Sequence, residues 1–299
     1  MALWQRYLIP TTVEEALKAL EETPGRAAVI AGGTDLLLDL EQGRHPPVES
    51  LIDLSQIEEM CRVDLSGEWV LAGAAVPLAR LIEHPLIDQH APCLLEACSL
   101  IGGPQVRNVA TLGGNVGHAL PAADGTIALL SLGAEAELAS LEGRRWVPLE
   151  SIFAGPGEPA FDRRREIIVR FRFPARGPGE GSAFERIMRP QGVAIAILNM
   201  SIWLKLGSGS EIRRARIALG PGGPVPFRAQ KAEALFDGQK LDGLRIEQLA
   251  EAILSEAKLR TSPHRATEAY RRHLIPVLLR RTLPRAAERA GAEVGELSR

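Results

Sequence analysis

Two glycine pairs, Gly32-Gly33 and Gly113-Gly114, stand in similar settings in this 299-residue chain. The first lies in Val29-Ile30-Ala31-Gly32-Gly33-Thr34-Asp35-Leu36 and follows an apolar, strand-like run. The second lies in Val109-Ala110-Thr111-Leu112-Gly113-Gly114-Asn115. Residues without Cβ atoms let a backbone approach a ligand closely and adopt positive φ. Successive N–H groups in such turns form anion-binding nests. Two nests on one domain suit a long diphosphate ligand better than a single mononucleotide. Either pair alone reads first as a tight turn. Thr34 and Thr111 beside the glycines, with Asn115 and Asp124 after the second pair, add polar groups that favour a ligand.

The surrounding sequence excludes the commoner phosphate-binding designs. There is no G-x-G-x-x-G fingerprint and no G-x-x-x-x-G-K-[ST] loop. Many oriented amides can hold phosphate oxygens without a lysine. Ser131 and Ser151 sit in no nucleophile-elbow sequence. Cys61, Cys93 and Cys98 show no C-x-x-C spacing and are too few for a four-thiolate site. They fit a reduced, cytoplasmic protein without its own metal or iron–sulfur centre. A net charge of −2 argues against a general nucleic-acid binder, and 4% aromatic residues argue against a base-stacking platform. With 45% apolar and 24% charged residues the composition is that of an ordinary globular protein, too long for one small core. No stretch is long and apolar enough to span a membrane, and Met1 to Arg6 open no secretory h-region.

Three units must position the glycines. In the first, residues 1–58, Thr12-Val13-Glu14-Glu15 reads as a capping box before a helix whose apolar face is Val13, Ala16, Leu17 and Leu20. Pro24-Gly25 stops it, a strand at 27–30 feeds the first glycine pair, and 51–54 is another short strand. The second unit, 59–178, has a strand at 69–73 and helices at 77–83 and 92–100, each opening on proline. An apolar helix at 126–132 and a hairpin around Glu142-Gly143 follow. Ile167, Val169, Phe171 and Phe173 alternate with Arg170 and Arg172, as in a strand with one wet face. Arg176 to Gly181 is a linker. The third unit, 179–285, has strands at 182–187, 193–206 and 212–219, then helices at 228–235, 246–258 and 266–282, the last kinked or divided at Pro276. Residues 286–299 read as a flexible tail, and Arg271-Arg272-His273 as the wet face of a helix.

Ala31 to Leu36, Thr111 to Asn115 and Pro121-Ala122-Ala123-Asp124 together resemble the FAD-binding medium subunit of the molybdenum hydroxylases, the xanthine dehydrogenase and carbon monoxide dehydrogenase family. The resemblance runs from Tyr7 to the helices near residue 280. It implies an α+β protein: a PCMH-type FAD-binding fold of two subdomains, then a C-terminal α+β domain of a sheet with helices. Ala31, Gly32, Gly33, Thr34, Asp35 and Leu36 would wrap the FAD pyrophosphate. Ala110, Thr111, Gly113, Gly114 and Asn115 would face the pyrophosphate and ribityl region from the other side. Asp124 would bond the ribityl or ribose side, Ile101 would pack near the isoalloxazine, and Ile167 and Ile168 would touch the adenine, though an apolar strand is more often simply core. His118 is either a cofactor contact or an ordinary polar loop residue. Arg186 stands near the place of a family lysine by the flavin, and is either a flavin ligand or a solvated strand arginine. No histidine precedes a glycine pair as in covalent flavoproteins, so the FAD would be non-covalent.

The same resemblance implies an electron-transfer role. Substrate would be oxidised at a molybdenum cofactor on a large partner subunit. Electrons would cross two [2Fe-2S] clusters on a small partner subunit to FAD on this chain, and then pass to NAD, a quinone, oxygen or another acceptor. A stand-alone flavin oxidoreductase of the same fold, and a scaffold subunit that has lost FAD, are the rival readings.

Overall fold

The computed structural model describes residues 2–190 and 194–293. The chain begins with β1 (Arg6–Leu8), α1 (Val13–Glu22), β2 (Ala27–Ile30), α2 (Leu36–Glu41) and β3 (Ser50–Asp53). The three strands form a parallel sheet in the order β1-β3-β2. Thr12 caps α1 by accepting the Glu15 N–H at 3.1 Å, while the Glu15 carboxylate reaches back to the Thr11 N–H at 2.8 Å. The helix buries the expected face of Val13, Ala16, Leu17 and Leu20. Neighbouring Leu51 and Ile52 are both fully buried and belong to separate apolar clusters. Adjacent strand residues point to opposite faces, so this small sheet is covered on both sides.

Next come β4 (Val63–Ser66), β5 (Trp69–Gly73), α3 (Leu78–Ile82), α4 (Pro85–His90), α5 (Pro92–Leu100), α6 (Pro104–Arg107), α7 (Leu112–Gly117) and α8 (Asp124–Leu132). They are followed by β6 (Glu135–Ser140), β7 (Gly143–Pro148), β8 (Phe153–Gly155), β9 (Glu158–Pro159) and β10 (Ile167–Pro174). The second sheet has the order β4-β5-β10-β6-β7, and its pairings are antiparallel. The wet face of β10 is a ladder: Arg170 pairs with Glu137, Arg172 pairs with Glu135, and both guanidiniums lie over Trp146. All nine residues of α8 are buried. A helix buried all round belongs at the centre of a protein, and α8 packs on α5 and α7 on one side and on the third sheet on the other.

That third sheet is β11 (Glu180–Ile187), β12 (Leu198–Leu206), β13 (Ile212–Gly220) and β14 (Phe227–Arg228), antiparallel and in chain order. Of the strand expected at 193–206, residue 193 lies outside the described residues, and the observed strand starts at Leu198. α9 (Gln230–Ala234), α10 (Ile246–Glu256) and α11 (Glu268–Arg289) complete the chain. Two expectations are corrected here: that Pro276 divides the last helix, and that the residues from 286 form a flexible tail. α11 is continuous through Pro276 and Pro284, because Leu274, Ile275, Leu278, Leu279 and Leu283 bury one face. At roughly 1.5–3 kcal/mol per buried side chain, that face outweighs a proline penalty of about 3 kcal/mol. The expected flexible tail from 286 is also corrected for the described part. Ala286, Ala287, Ala290 and Ala292 are buried, and the Ala286 carbonyl lies where a Gly181 Cβ would stand, 2.2 Å from it. Residues 294–299 of that expected tail lie outside the described residues.

Candidate functional site

Both glycine segments line one crevice of about 640 Å³ between the first sheet and the α3, α7 and β10 region. The segments touch directly: a Cβ on Gly32 would stand 2.2 Å from the Val109 carbonyl oxygen. β2 carries the first segment to this point, and Gly33 turns it with φ +67°. Among the described residues, no backbone N–H from Gly32 to Leu36 has an acceptor within the chain. Successive unsatisfied amides on a half-buried turn are the donor set an anion needs.

The second segment behaves differently from the expected second nest. Gly113 N–H donates to the Ala74 carbonyl at 2.8 Å, Gly114 N–H to Thr111 Oγ1 at 3.1 Å, and Asn115 N–H to the Thr111 carbonyl at 3.0 Å. These amides begin α7, with Thr111 as its capping residue. Asn115 Oδ1 accepts the Thr126 N–H at 3.2 Å and ties α7 to α8. The segment meets the crevice with side chains and close-packed backbone.

Fifteen of the seventeen expected site residues line the crevice: Ala31 to Leu36, Ile101, Ala110, Thr111, Gly113, Gly114, Asn115, His118, Ile167 and Ile168. Asp124 and Arg186 do not. They are buried against each other as an ion pair, and Asn199 Nδ2 donates to the other Asp124 oxygen at 2.6 Å. The contact joins the first turn of α8 to β11 and β12, which explains why Arg186 is not a solvated strand residue. Burial pushes the Asp124 carboxyl up, against the pull of Arg186 and Asn199. The lining residues all fall between 25 and 168, so the third sheet contributes none of the wall.

His118 follows α7 as its C-terminal cap and faces Asp35, with Nδ1 to Oδ2 at 3.5 Å. The pair spans the two glycine segments. The hydrogen bond raises the pKa of His118 and lowers that of Asp35. The sequence reading missed Arg163. It lines the crevice, donates to the Gly117 carbonyl, and has no carboxylate within salt-bridge distance among the described residues. Burial lowers its pKa. An arginine run, Arg163-Arg164-Arg165, was visible beside Glu166, but nothing local tied it to residues 46 positions away.

A crevice with free amides on one wall, a guanidinium near its rim and apolar Ile101, Ile167 and Ile168 elsewhere fits a ligand with a diphosphate and flat apolar ends. The class defined by fold and site is a dinucleotide-binding α+β protein outside the Rossmann and P-loop designs. Residues 3–176 match the family described as the FAD binding domain in molybdopterin dehydrogenase, and residues 182–286 match the CO dehydrogenase flavoprotein C-terminal domain. The chain is 31% identical over 286 residues to the xanthine dehydrogenase FAD-binding subunit of Escherichia coli O157:H7, covering 95% of this chain and 96% of that one. It is also 31% identical over 285 residues to the nicotine 6-hydroxylase medium subunit of Paenarthrobacter nicotinovorans, covering 95% and 98%. A chain of carbon monoxide dehydrogenase from Hydrogenophaga pseudoflava superposes with a TM-score of 0.89 at 29% identity, covering 95% of this chain and 98% of that one. The chain therefore belongs to the FAD-binding subunit family of the molybdopterin dehydrogenases. It is an FAD-dependent oxidoreductase subunit with the α+β fold of that family, as its sequence implied.

Proposed function

We propose that this chain takes electrons from iron–sulfur clusters of a small partner subunit and passes them through non-covalent FAD to an external acceptor. A large partner carrying the molybdenum cofactor would oxidise the substrate. The observation that carries the reading is the row of free amides from Gly32 to Leu36 facing a crevice of dinucleotide size. A subunit that had lost FAD would have no use for such a row. FAD supplies the redox chemistry when bound, and the protein positions it.

In this reading Gly32 to Leu36 donate to the diphosphate and Arg163 offsets its charge. Thr111 and Asn115 face the ribityl side, Ile101 packs on the flavin end, and Ile167 and Ile168 pack on the adenine end. Asp124 and Arg186 act through position, by fixing α8 to the third sheet. The organisation proposed is two cofactor-binding subdomains, 1–58 and 59–178, followed by a C-terminal domain from 179. Three free thiols, Cys61, Cys93 and Cys98, support a reducing, cytoplasmic setting. No described helix is long and apolar enough to cross a membrane.

The test is a visible absorption spectrum of the purified chain with identification of the group released by acid. A flavin spectrum with FAD near one per chain is expected. A colourless protein that takes up no FAD on incubation would overturn the reading. Substrate turnover by the isolated chain, with no partner present, would instead favour the stand-alone oxidoreductase.

A further inference from the structure

A second cavity, of about 170 Å³, lies apart from the crevice and is lined by Arg189, Ala194, Ile195, Ile197, His264 and Arg265. None of these residues lines the crevice. Arg189 follows the end of β11, Ile197 precedes β12, and His264 and Arg265 lie in the turn before α11. The third sheet and its last helix thus meet at this point.

Directly behind it stands Arg271, expected on the wet face of a helix but only 2% exposed. Its Nη1 donates to the carbonyl of Ile197, a wall residue, and its buried Nε has no partner among the described residues. None of Arg189, Arg260, Arg265 and Arg271 has a carboxylate within salt-bridge distance among the described residues. Arginines elsewhere do find carboxylates, as Arg285 and Arg289 do at Glu96. Burial and the like charges of Arg265 and Arg260 both push the pKa of Arg271 down. Several guanidiniums gathered without a counter-charge repel one another, and a buried one with an empty donor costs more still. An anion in the cavity offsets that repulsion.

We propose that this cavity is an anion subsite that takes one phosphate group, held by Arg189, Arg265 and His264 at the rim in the field of the buried Arg271. Its volume is below the roughly 300 Å³ at which whole small-molecule sites begin, so it accepts a headgroup and leaves the rest of a ligand outside. The exposed Ile195 beside it offers an apolar surface for that remainder. Planar guanidiniums favour phosphate through paired N–H donors. The subsite does not depend on the crevice, and either could exist without the other.

The test uses the full chain saturated with FAD, so that the crevice is filled, and titrates it calorimetrically with inorganic phosphate and with ADP. Saturable binding of at least one probe, with a dissociation constant of about 1 mM or tighter, is expected. Arg265→Ala and Arg189→Ala, both at exposed positions, should each weaken it about tenfold while the flavin absorbance stays unchanged. ADP binding tenfold or more above phosphate would assign the subsite to a nucleotide; equal binding would assign it to free phosphate or a simple monoester. No saturable binding of either probe, or undiminished binding in the Arg189→Ala/Arg265→Ala double variant, would overturn the proposal.

Discussion

Gly32-Gly33 follows a half-buried strand and leaves its amides free in the crevice wall, whereas Gly113-Gly114 begins a helix and turns its amides back into the protein. The first pair is a donor cradle. The second is a packing device: a Cβ on Gly113 would meet the Ala74 Cβ and carbonyl oxygen at 2.6 Å each. One pattern, two small residues beside a threonine, serves two purposes. The partner of each N–H decides which. Gly32 joins them, because its bare Cα lets the cradle rest on the backbone of Val109 and Ala110.

The largest effects should come from that junction. Gly32→Ala places a Cβ 2.2 Å from the Val109 oxygen and 2.7 Å from the Ala110 Cα, and backbone cannot swing aside as a side chain can. FAD affinity should fall at least tenfold, about 1.4 kcal/mol, read as the ratio of visible to ultraviolet absorbance after gel filtration. Gly113→Ala should act on the fold first, lowering Tm with a smaller loss of FAD per folded molecule. If Gly113→Ala instead releases FAD at unchanged Tm, the second pair is a ligand site after all and the contrast between the pairs fails.

Within each pair the effects should be graded. Gly33→Ala puts an alanine at φ +67° against flexible atoms of Ile30 and Leu37 at 3.0 Å. The left-handed backbone costs about 1–2 kcal/mol, so Tm should drop by roughly 2–6 °C with a moderate loss of FAD. Gly114→Ala meets only Thr111 Oγ1, at 3.2 Å. Its stability should stay within about 0.5 kcal/mol of the parent. A large FAD loss in Gly114→Ala would show the ligand resting on that glycine directly. Arg163→Ala should weaken FAD binding by about three- to tenfold, since a solvent-facing charged hydrogen bond contributes only part of its full strength. Added salt should shrink the difference between parent and variant. A salt-independent loss would mean that Arg163 acts by packing under Gly117.

Much of this was legible in the chain. Helices announced by strong periodicity or an opening proline, α1 and α5, fall where expected, as does the β6–β7 hairpin. The crevice walls were legible too, because glycine at a close backbone approach leaves a mark in sequence. Long-range pairing was not. β1 is three residues long and acquires its place only by joining β3 in parallel, 44 positions away. Asp124 read as a ligand, and Arg186, 62 positions away, as either a flavin ligand or a solvated strand arginine, because a charged residue near a motif carries no sign of its partner. Arg163 drew no reading from the sequence for the same reason. The amides of Gly113 and Gly114 misled in the opposite direction. Their acceptors, the Ala74 carbonyl and the Thr111 hydroxyl, became visible only once β5 and α7 were folded together.

The His118–Asp35 pair offers the smallest and most diagnostic test, because it is the one charged contact across the two glycine segments among the described residues. It exists fully when Asp35 is ionised and His118 is protonated. His118 is raised above its ordinary value of 6.5, so its contribution is complete below that value and is lost as pH rises through the raised one. Asp35 is lowered below its ordinary 3.8, so its contribution is complete above that value and is lost as pH falls through the lowered one. Asp39 reinforces the charge on His118 and Arg163 opposes it. The side chains are 30% and 61% exposed, so water screens the pair and it contributes about 0–1 kcal/mol. His118→Gln should therefore lower Tm by no more than about 4 °C at pH 5.5 and leave it unchanged at pH 9. An equal loss at both pH values would mean that the imidazole only fills space beside Asp35. The two segments would then be held together without that charge, through the packing of Gly32 on Val109 and Ala110.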